Sequence, residues 1–341
     1  MSSDQVISAY AACSMNQTER LASSSGGIFS VLAREILSKG GIVYGAAMSA
    51  DCRRAEFIRA TDEAGLEKLR GSKYLQVCTG NAFKQVRDDL EKGLTVLFSG
   101  TGCQVNGLKG FLGIDNEKTK YPNLYCVDVV CHGTPSPAIW REYVNYVEDK
   151  NGSHLVGVNF RCKSDSWTNF GMREIDDTER SIYISKDKDP YMLMFLKNYS
   201  LRPSCYECKA KEIKLSDLTI ADFWGIDSVA PEMNDGKGTS LVMIRTEEGR
   251  ELLESIHERL KLKQVSYMDG VKCNPAEFQS VSRPKERDLF FVDMQKMSFE
   301  ELRLKYGLPS TMPFKRKVKA FIKKVLIKAK IIGGGGEAKY R

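Results

Sequence analysis

Residues 95–104 read TVLFSGTGCQ. The run TVLFS is short, apolar and β-prone, and it follows a helical stretch over residues 82–92 that closes at Gly93, so it predicts a strand buried in a sheet covered on both faces. Directly beyond it lie Gly100, Thr101, Gly102, Cys103 and Gln104. In open α/β sheets the crevice outside the carboxyl ends of the strands holds the ligand, which puts Cys103 where chemistry is usually placed. The glycines read G-x-G-x-x-x-x-G through Gly107, a spacing that fails the dinucleotide fingerprint. The pattern then repeats: NLYCVDVV at residues 123–130 predicts a second strand, again followed by a cysteine beside glycine in Cys131-His132-Gly133. Cys126, inside that strand, reads as a small core residue. His132 reads more readily as a hydrogen-bonded structural group than as a ligand or proton donor.

A third cysteine feature lies at residues 201–225, LRPSCYECKAKEIKLSDLTIADFWG, where Cys205 and Cys208 form a C-x-x-C. That spacing lets one turn of backbone offer two thiolates to one metal centre. Alone it is half a zinc site, a thiol–disulfide pair, two ligands of an iron–sulfur cluster, or coincidence. Pro203 precedes the first cysteine and no strand-to-helix start surrounds the pair, which counts against a thioredoxin-like motif. If the pair binds metal, Cys103 and Cys131 are the candidates for the remaining ligands.

The bounds are those of a globular chain: 341 residues with 42% hydrophobic content give room for one large domain or two ordinary ones. No apolar run approaches the roughly 20 residues that span a bilayer, and the N-terminus lacks a secretory layout, so the expected location is cytoplasmic. Ten cysteines in a reducing compartment point to metal binding or burial rather than a disulfide framework. The net charge of +7 is concentrated at one end. Residues 314–332 carry eight Lys or Arg and no acid, and the last six residues add one net positive charge, leaving −2 for residues 1–313. The body is nearly neutral and carries no nucleic-acid motif, so no nucleic-acid partner is expected.

In chain order, residues 6–12 predict a strand, with a polar linker through Arg20. Residues 23–27, SSSGG, open a helix that Gly40 and Gly41 end, and IVYGAAM follows as a buried strand. A Ser/Gly loop at a helix start suits a phosphate through its unpaired N–H groups, although a simple cap is the commoner use. Further strands are expected at residues 56–61, in VGVNFRCKS, in LTIADFWGI and over residues 239–246. Helices are expected over residues 62–69, 108–112, 136–147, 191–198 and 250–260. Arg161 and Lys163 fall on one face of their strand, as a pair for an anion or as a solvated edge, with Cys162 on the other. The fold class is α/β (α+β), a mixed sheet core with flanking helices plus a basic C-terminal helix. The expected division is residues 1–105, 106–295 and 296–341.

These segments also carry a resemblance. SSSGGIFSVLA, YGAA, LRGSKYLQ, VLFSGTGCQVNGLKGFL, CHGTPSPAIW, FRCK with Trp167, PYMLMFL, LRPSCYECK, SDLTIADFWGI, DGKGTSLV and NPAEFQSVSRPKERDLFF occur in this order. Together they resemble the coenzyme F-420 hydrogenase/dehydrogenase β-subunit family, from about residue 8 to residue 291. The resemblance implies an iron–sulfur flavoprotein oxidoreductase, with FAD in the α/β core, a 4Fe-4S cluster beside it and exchange with a ferredoxin-like centre. It implies Cys103, Cys131, Cys205 and Cys208 as cluster ligands, a donor set that suits zinc as well as iron. For the flavin it implies Ser24, Ser25, Gly26, Gly27, Ser72, Lys73, Tyr74, Ser99, Gly100 and Thr101, to which the cationic pair Arg161 and Lys163 is added. It names no catalytic residue.

The chain departs from the family pattern in two places. It has no ferredoxin-like run of paired cysteines, so a separate ferredoxin or ferredoxin-like protein is the expected donor, with a small-molecule acceptor in a cell-surface polysaccharide pathway. Gly102 stands where the family usually has proline, which is expected to loosen that turn. Residues 314–332 predict a basic amphipathic helix, suited to the anionic inner face of a membrane or to packing on protein. The alternative to an enzyme is an accessory or scaffold protein with a structural metal site made by the four cysteines.

Overall fold

A computed structural model of the protein describes residues 6–114 and 120–308. In order, the elements begin with β1 (Ser8–Ser14), α1 (Gln17–Ala22), α2 (Ile28–Ser38), β2 (Ile42–Met48), β3 (Ala55–Ala60), α3 (Glu63–Leu69), β4 (Val77–Cys78) and α4 (Ala82–Glu91). They continue with β5 (Val96–Thr101), α5 (Gly102–Leu112), β6 (Leu124–Val129), α6 (Pro137–Asn151), β7 (Leu155–Cys162), β8 (Gly171–Asp176), β9 (Ser181–Ser185) and α7 (Pro190–Leu196). The last are β10 (Leu218–Asp222), β11 (Ser240–Ile244), α8 (Glu247–Glu254), β12 (Leu260–Val265), α9 (Tyr267–Val271), α10 (Arg287–Met294) and α11 (Phe299–Tyr306).

Nine strands form one sheet in the order β12-β1-β11-β10-β6-β5-β2-β3-β4. Its centre is parallel, β2 with β5, β5 with β6 and β6 with β10. The antiparallel insertion of β11 between β10 and β1 leaves β1 pointing the same way as β10. The carboxyl ends of β1, β2, β5, β6 and β10 therefore open on one edge. Strand alternation divides the core in two. Val43, Leu97 and Val127 face the layer of α2, α3 and α8, whereas Ile42, Tyr44, Val96, Phe98, Leu124 and Cys126 face α4 and α5. A residue-by-residue apolar run such as VLF at residues 96–98 is what a strand needs when both of its sides are covered.

A second sheet, β7-β8-β9, packs with α6, α7, α10 and α11 around Trp140, Tyr143, Phe160, Tyr191 and Phe290. Its strands β8 and β9 escape sequence reading because Arg173, Asp176 and the turn at Glu179 and Arg180 interrupt the apolar pattern. Several expected elements change in extent. The linker before Arg20 contains α1, capped by Asn16. The helix expected over residues 250–260 is α8, starting earlier at Glu247 under a Thr246 cap; Leu260 already belongs to β12. The DFWGI strand ends at Asp222. The basic stretch 314–332 lies outside the described residues. Among the described residues no helix is long and apolar enough to cross a membrane.

In the second core, Tyr143 stands between two buried carboxyls, its hydroxyl meeting Glu174 Oε1 and, at 2.6 Å, Asp189 Oδ2. One hydroxyl donates only one proton, so an ionised pair leaves one carboxylate without a donor from it. Burial raises both carboxyls, Asp189 up to about 7. A carboxyl raised on folding stabilises the fold fully below its unfolded value near about 4, and that contribution is lost as the pH rises toward the folded value. Denaturant midpoints should therefore fall between about pH 4 and pH 7. Glu174→Gln, which carries its own donor, should flatten that slope and gain roughly 1–3 kcal/mol at pH 7.5 over the wild-type chain. An unchanged slope in urea titrations across this range would count against the shared proton.

Candidate metal centre

Three segments bring thiols to the carboxyl edge. Thr101 ends β5 and caps α5, receiving the Gln104 side chain at its own N–H (2.8 Å) in a reciprocal capping box. Cys103 thus sits exposed in the first turn of α5, not in an open loop. Cys131 follows β6 after Val130 has donated to Ile220 O of β10 (3.0 Å). Cys205 and Cys208 flank a tight bend between two short 3-10 turns, and Cys208 N donates to Ser280 Oγ (2.9 Å).

What joins the second and third segments is a single antiparallel bridge between Pro135 and Leu201, framed by Ser136 N to Ser200 O (2.8 Å) and Arg202 N to Thr134 O (2.9 Å). The Thr134 N–H then points at Cys205 Sγ (3.4 Å). What joins the first to the third is Asn106 on α5, which donates to Ile213 O (2.8 Å) and accepts from Leu215 N (3.2 Å). The outcome is an open cleft of about 390 Å³ lined by Cys103, Cys131, Cys205 and Cys208 with Thr101, Gly102, Val129, His132, Gly133, Thr134, Ala210, Lys211 and Lys214. All four cysteines proposed as ligands share this one cleft. Among the described residues no three His, Cys, Asp or Glu side chains are grouped for a single metal ion.

Burial pushes the Cys131 thiol up to about 11, with Cys205 and Cys103 adding to the rise and Lys211 opposing it. Cys205 is raised as well, chiefly by burial, with Cys103 and Cys208 adding to it. His132 donates from Nε2 to Asn198 Oδ1 (2.7 Å), stands edge-on to Phe195, and has its pKa lowered by burial, which makes it the hydrogen-bonded structural group expected of it. Behind the cleft lies a buried charge network. Lys214 meets Glu277 at 2.8 Å and Asp128 at 3.8 Å, and Arg245 also pairs with Glu277. Lys211, Lys214 and Thr134 were not singled out in the sequence. The only signal was the basic run KAKEIK immediately after the second cysteine of the C-x-x-C.

Gly102 does not loosen its turn. A Cβ built there would lie 2.9 Å from Asp128 Oδ2 and 3.2 Å from Ala210 Cβ, so the start of α5 approaches β6 more closely than any side chain allows.

The residues expected at the flavin divide into three groups. Ser24, Ser72, Tyr74 and Arg161 converge: Ser72 N donates to Ser24 Oγ (3.0 Å), and Arg161 reaches Ser24 O and the Tyr74 hydroxyl (both 3.3 Å). Arg161 also pairs with Asp222 at 2.8 Å and lies over Phe170 and over Trp224, itself stacked on Trp167. Gly26 and Gly27 lead into α2, whose first turn has no side-chain cap, while Ser25 Oγ bonds Thr239 O (2.9 Å). Ser99, Gly100 and Thr101 end β5 beside the cysteine cleft, with Thr101 Oγ1 3.2 Å from Cys103 Sγ. The lysines do something else. Lys73 donates to the carbonyls of Lys68, Leu69 and Arg70 at the end of α3, and Lys163 to those of Arg20, Ser25 and Lys237. Each spends its three ammonium hydrogens on backbone, and burial lowers each to about 7.

A family model for the carboxyl-terminal part of the coenzyme F420 hydrogenase/dehydrogenase beta subunit matches residues 93–269, a span that contains all four cysteines of the cleft. The chain belongs to this family. Among solved structures it is similar to one described as the xenon-derivatised F420-reducing [NiFe] hydrogenase complex from Methanosarcina barkeri. The TM-score is 0.51 and the identity 18%, covering 76% of this chain and 82% of that one, a likeness of fold. No curated protein matches the chain. The family is one of oxidoreductase-related subunits, and the fold is an α/β fold with a mixed sheet.

Replacing Gly102 by Ala should lower stability by roughly 1–3 kcal/mol, because the new methyl meets a buried carboxylate oxygen and the Ala210 methyl rather than open space. Thermal melts of the two chains measure this. Equal melting temperatures would mean that α5 can withdraw from β6 without cost.

Proposed function

We propose that the protein is an iron–sulfur oxidoreductase subunit that holds a 4Fe-4S cluster in the cleft of Cys103, Cys131, Cys205 and Cys208 and binds FAD along the same sheet edge. The observation that carries the reading is the convergence of four thiols, from three segments spread over more than a hundred residues, on one open cleft. Four thiolates are the donor set that holds a 4Fe-4S cluster. A cluster there would supply one-electron transfer.

The chain's own residues have definable tasks. The first turn of α5 presents Cys103 to the cleft, and the Thr134 N–H supplies a hydrogen bond that stabilises negative charge on Cys205 Sγ. Thr101 Oγ1 stands within reach of Cys103 Sγ and is free to donate to it. For FAD, the uncapped first turn of α2 with Ser24 and Ser72 beside it offers donors to phosphate oxygens, and Arg161 offers a fixed guanidinium over the Trp224 and Phe170 rings. Lys73 and Lys163 serve by holding the loops that carry these donors. The electron donor in this reading is a separate ferredoxin-like protein or partner subunit, and the acceptor a small molecule, with a cell-surface polysaccharide pathway as the setting that the sequence resemblance implies.

Anaerobic purification with iron and sulfide should yield about four iron per chain and a broad visible absorption that dithionite bleaches. Cys208→Ser should lose that absorption and most of the iron. A colourless chain with one zinc per molecule would replace the redox reading with a structural site. For the second cofactor, Ser72→Asp sets a carboxylate beside Ser24 and should weaken FAD binding at least tenfold, about 1.4 kcal/mol, in fluorescence titrations. Identical affinity in that variant would place the flavin elsewhere.

A further inference from the structure

We infer that Lys211 is the counter-charge of the cysteine centre, a positioning residue that holds the Cys131 segment and sets how readily the centre accepts an electron. The inference rests on the reading of the cleft as a cluster site and adds a residue that the cysteine pattern does not contain.

The charged side chains lining the cleft are two lysines, Lys211 and Lys214, with no carboxylate among them. Their situations differ. Lys214 is neutralised from behind by Glu277 and Asp128, so its charge is already matched within the fold. Lys211 meets only carbonyl oxygens, Cys131 O at 2.6 Å and Ala276 O. Glu277 acts on it more distantly, and that carboxylate is shared by Lys214 and Arg245. Lys211 has its Nζ fixed on the Cys131 carbonyl, and its stem begins three residues after Cys208, within the cleft that the four thiols line. An ammonium in the lining of the four-thiol cleft, bonded to the Cys131 carbonyl and with no carboxylate in hydrogen-bond reach among the described residues, is matched when the sulfurs there carry negative charge.

The consequence for electron uptake has a definite sign. One electron from a one-electron donor lowers the charge of the centre by one. The ammonium, already protonated, stabilises the more negative state more than the less negative one, and no proton needs to move. Removing the cation while keeping a hydrogen-bond donor should therefore make the centre harder to reduce.

The test uses the full chain loaded anaerobically with iron and sulfide, titrated with dithionite in the presence of redox mediators and followed by its visible absorption. At the wild-type midpoint, Lys211→Gln is expected to lower the reduced-to-oxidised ratio about tenfold, equal to about 59 mV for one electron, with iron content retained. Lys211→Arg, which keeps the charge, is expected to stay near wild type. A wild-type midpoint in Lys211→Gln, or an equal displacement in both variants, overturns the inference. If Lys211→Gln binds no iron while Lys211→Arg does, charge is needed to hold the centre and the counter-charge role stands; if neither binds iron, Lys211 is a structural anchor only. Failure of the wild-type chain to take up iron and sulfide removes the cluster reading itself, and is seen before any variant is compared.

Discussion

The pairing of backbone at residues 134–136 with residues 200–202 is the constraint on which the cleft depends. β6 delivers Cys131 to the carboxyl edge, but the C-x-x-C arrives some seventy residues later, after α6, the small sheet and α7 have been folded elsewhere. Without the bridge nothing in the large sheet would tell residues 201–208 where to lie. Arg287 reinforces it from the far side, donating to Leu201 O through two nitrogens at 3.2 and 2.8 Å. A buried carbonyl held by a guanidinium is difficult to move, since its release would leave polar groups without partners. The second core, organised around Trp140 and Tyr143, thus positions half of the cleft, with Cys205 packed against it.

The large sheet was readable because its central strands are apolar at nearly every position and end in glycine. Residues 42–48 are recovered at both ends, and the strands before Cys103 and Cys131 to within two residues, since burial on both sides leaves few polar residues, Asp128 among them, to blur the pattern. Reading failed where polar residues are satisfied by partners far along the chain. Asp176 sits in β8 because Ser153, twenty-three residues earlier, bonds it along with Thr178 and Arg180 of the adjoining turn, and nothing local announces the Ser153 contact. Likewise Gly102 looks like a loosened turn until Asp128, twenty-six residues on, is found against it. The cysteine set was visible as four residues, but their meeting depends on Asn106 and on the bridge at Pro135, which have no sequence signature. Lys211 and Lys214 differ in role only because Glu277 lies behind one of them, a fact of tertiary structure alone.

The two lysines expected at the flavin illustrate how a charge can be placed for architecture. Lys73 closes the end of α3 and Lys163 ties three separate loops, each by donating to three carbonyls. An ammonium has three hydrogens and a flexible stem, which suits it to gather carbonyls that no backbone N–H can reach. The guanidinium of Arg161, planar and broad, instead joins an ion pair to two aromatic faces.

Arg161 belongs to β7 of the small sheet, while its carboxylate partner Asp222 ends β10 of the large one. That single ion pair, closed off from water by Phe170 and Trp224, pins one sheet to the other at the rim where the proposed cofactors would meet. A sliding motion between the sheets has to break it first. Together with the Lys163 ammonium, which leaves the end of β7 for the carbonyls of Arg20, Ser25 and Lys237, it makes that rim a place where the two sheets are held in register.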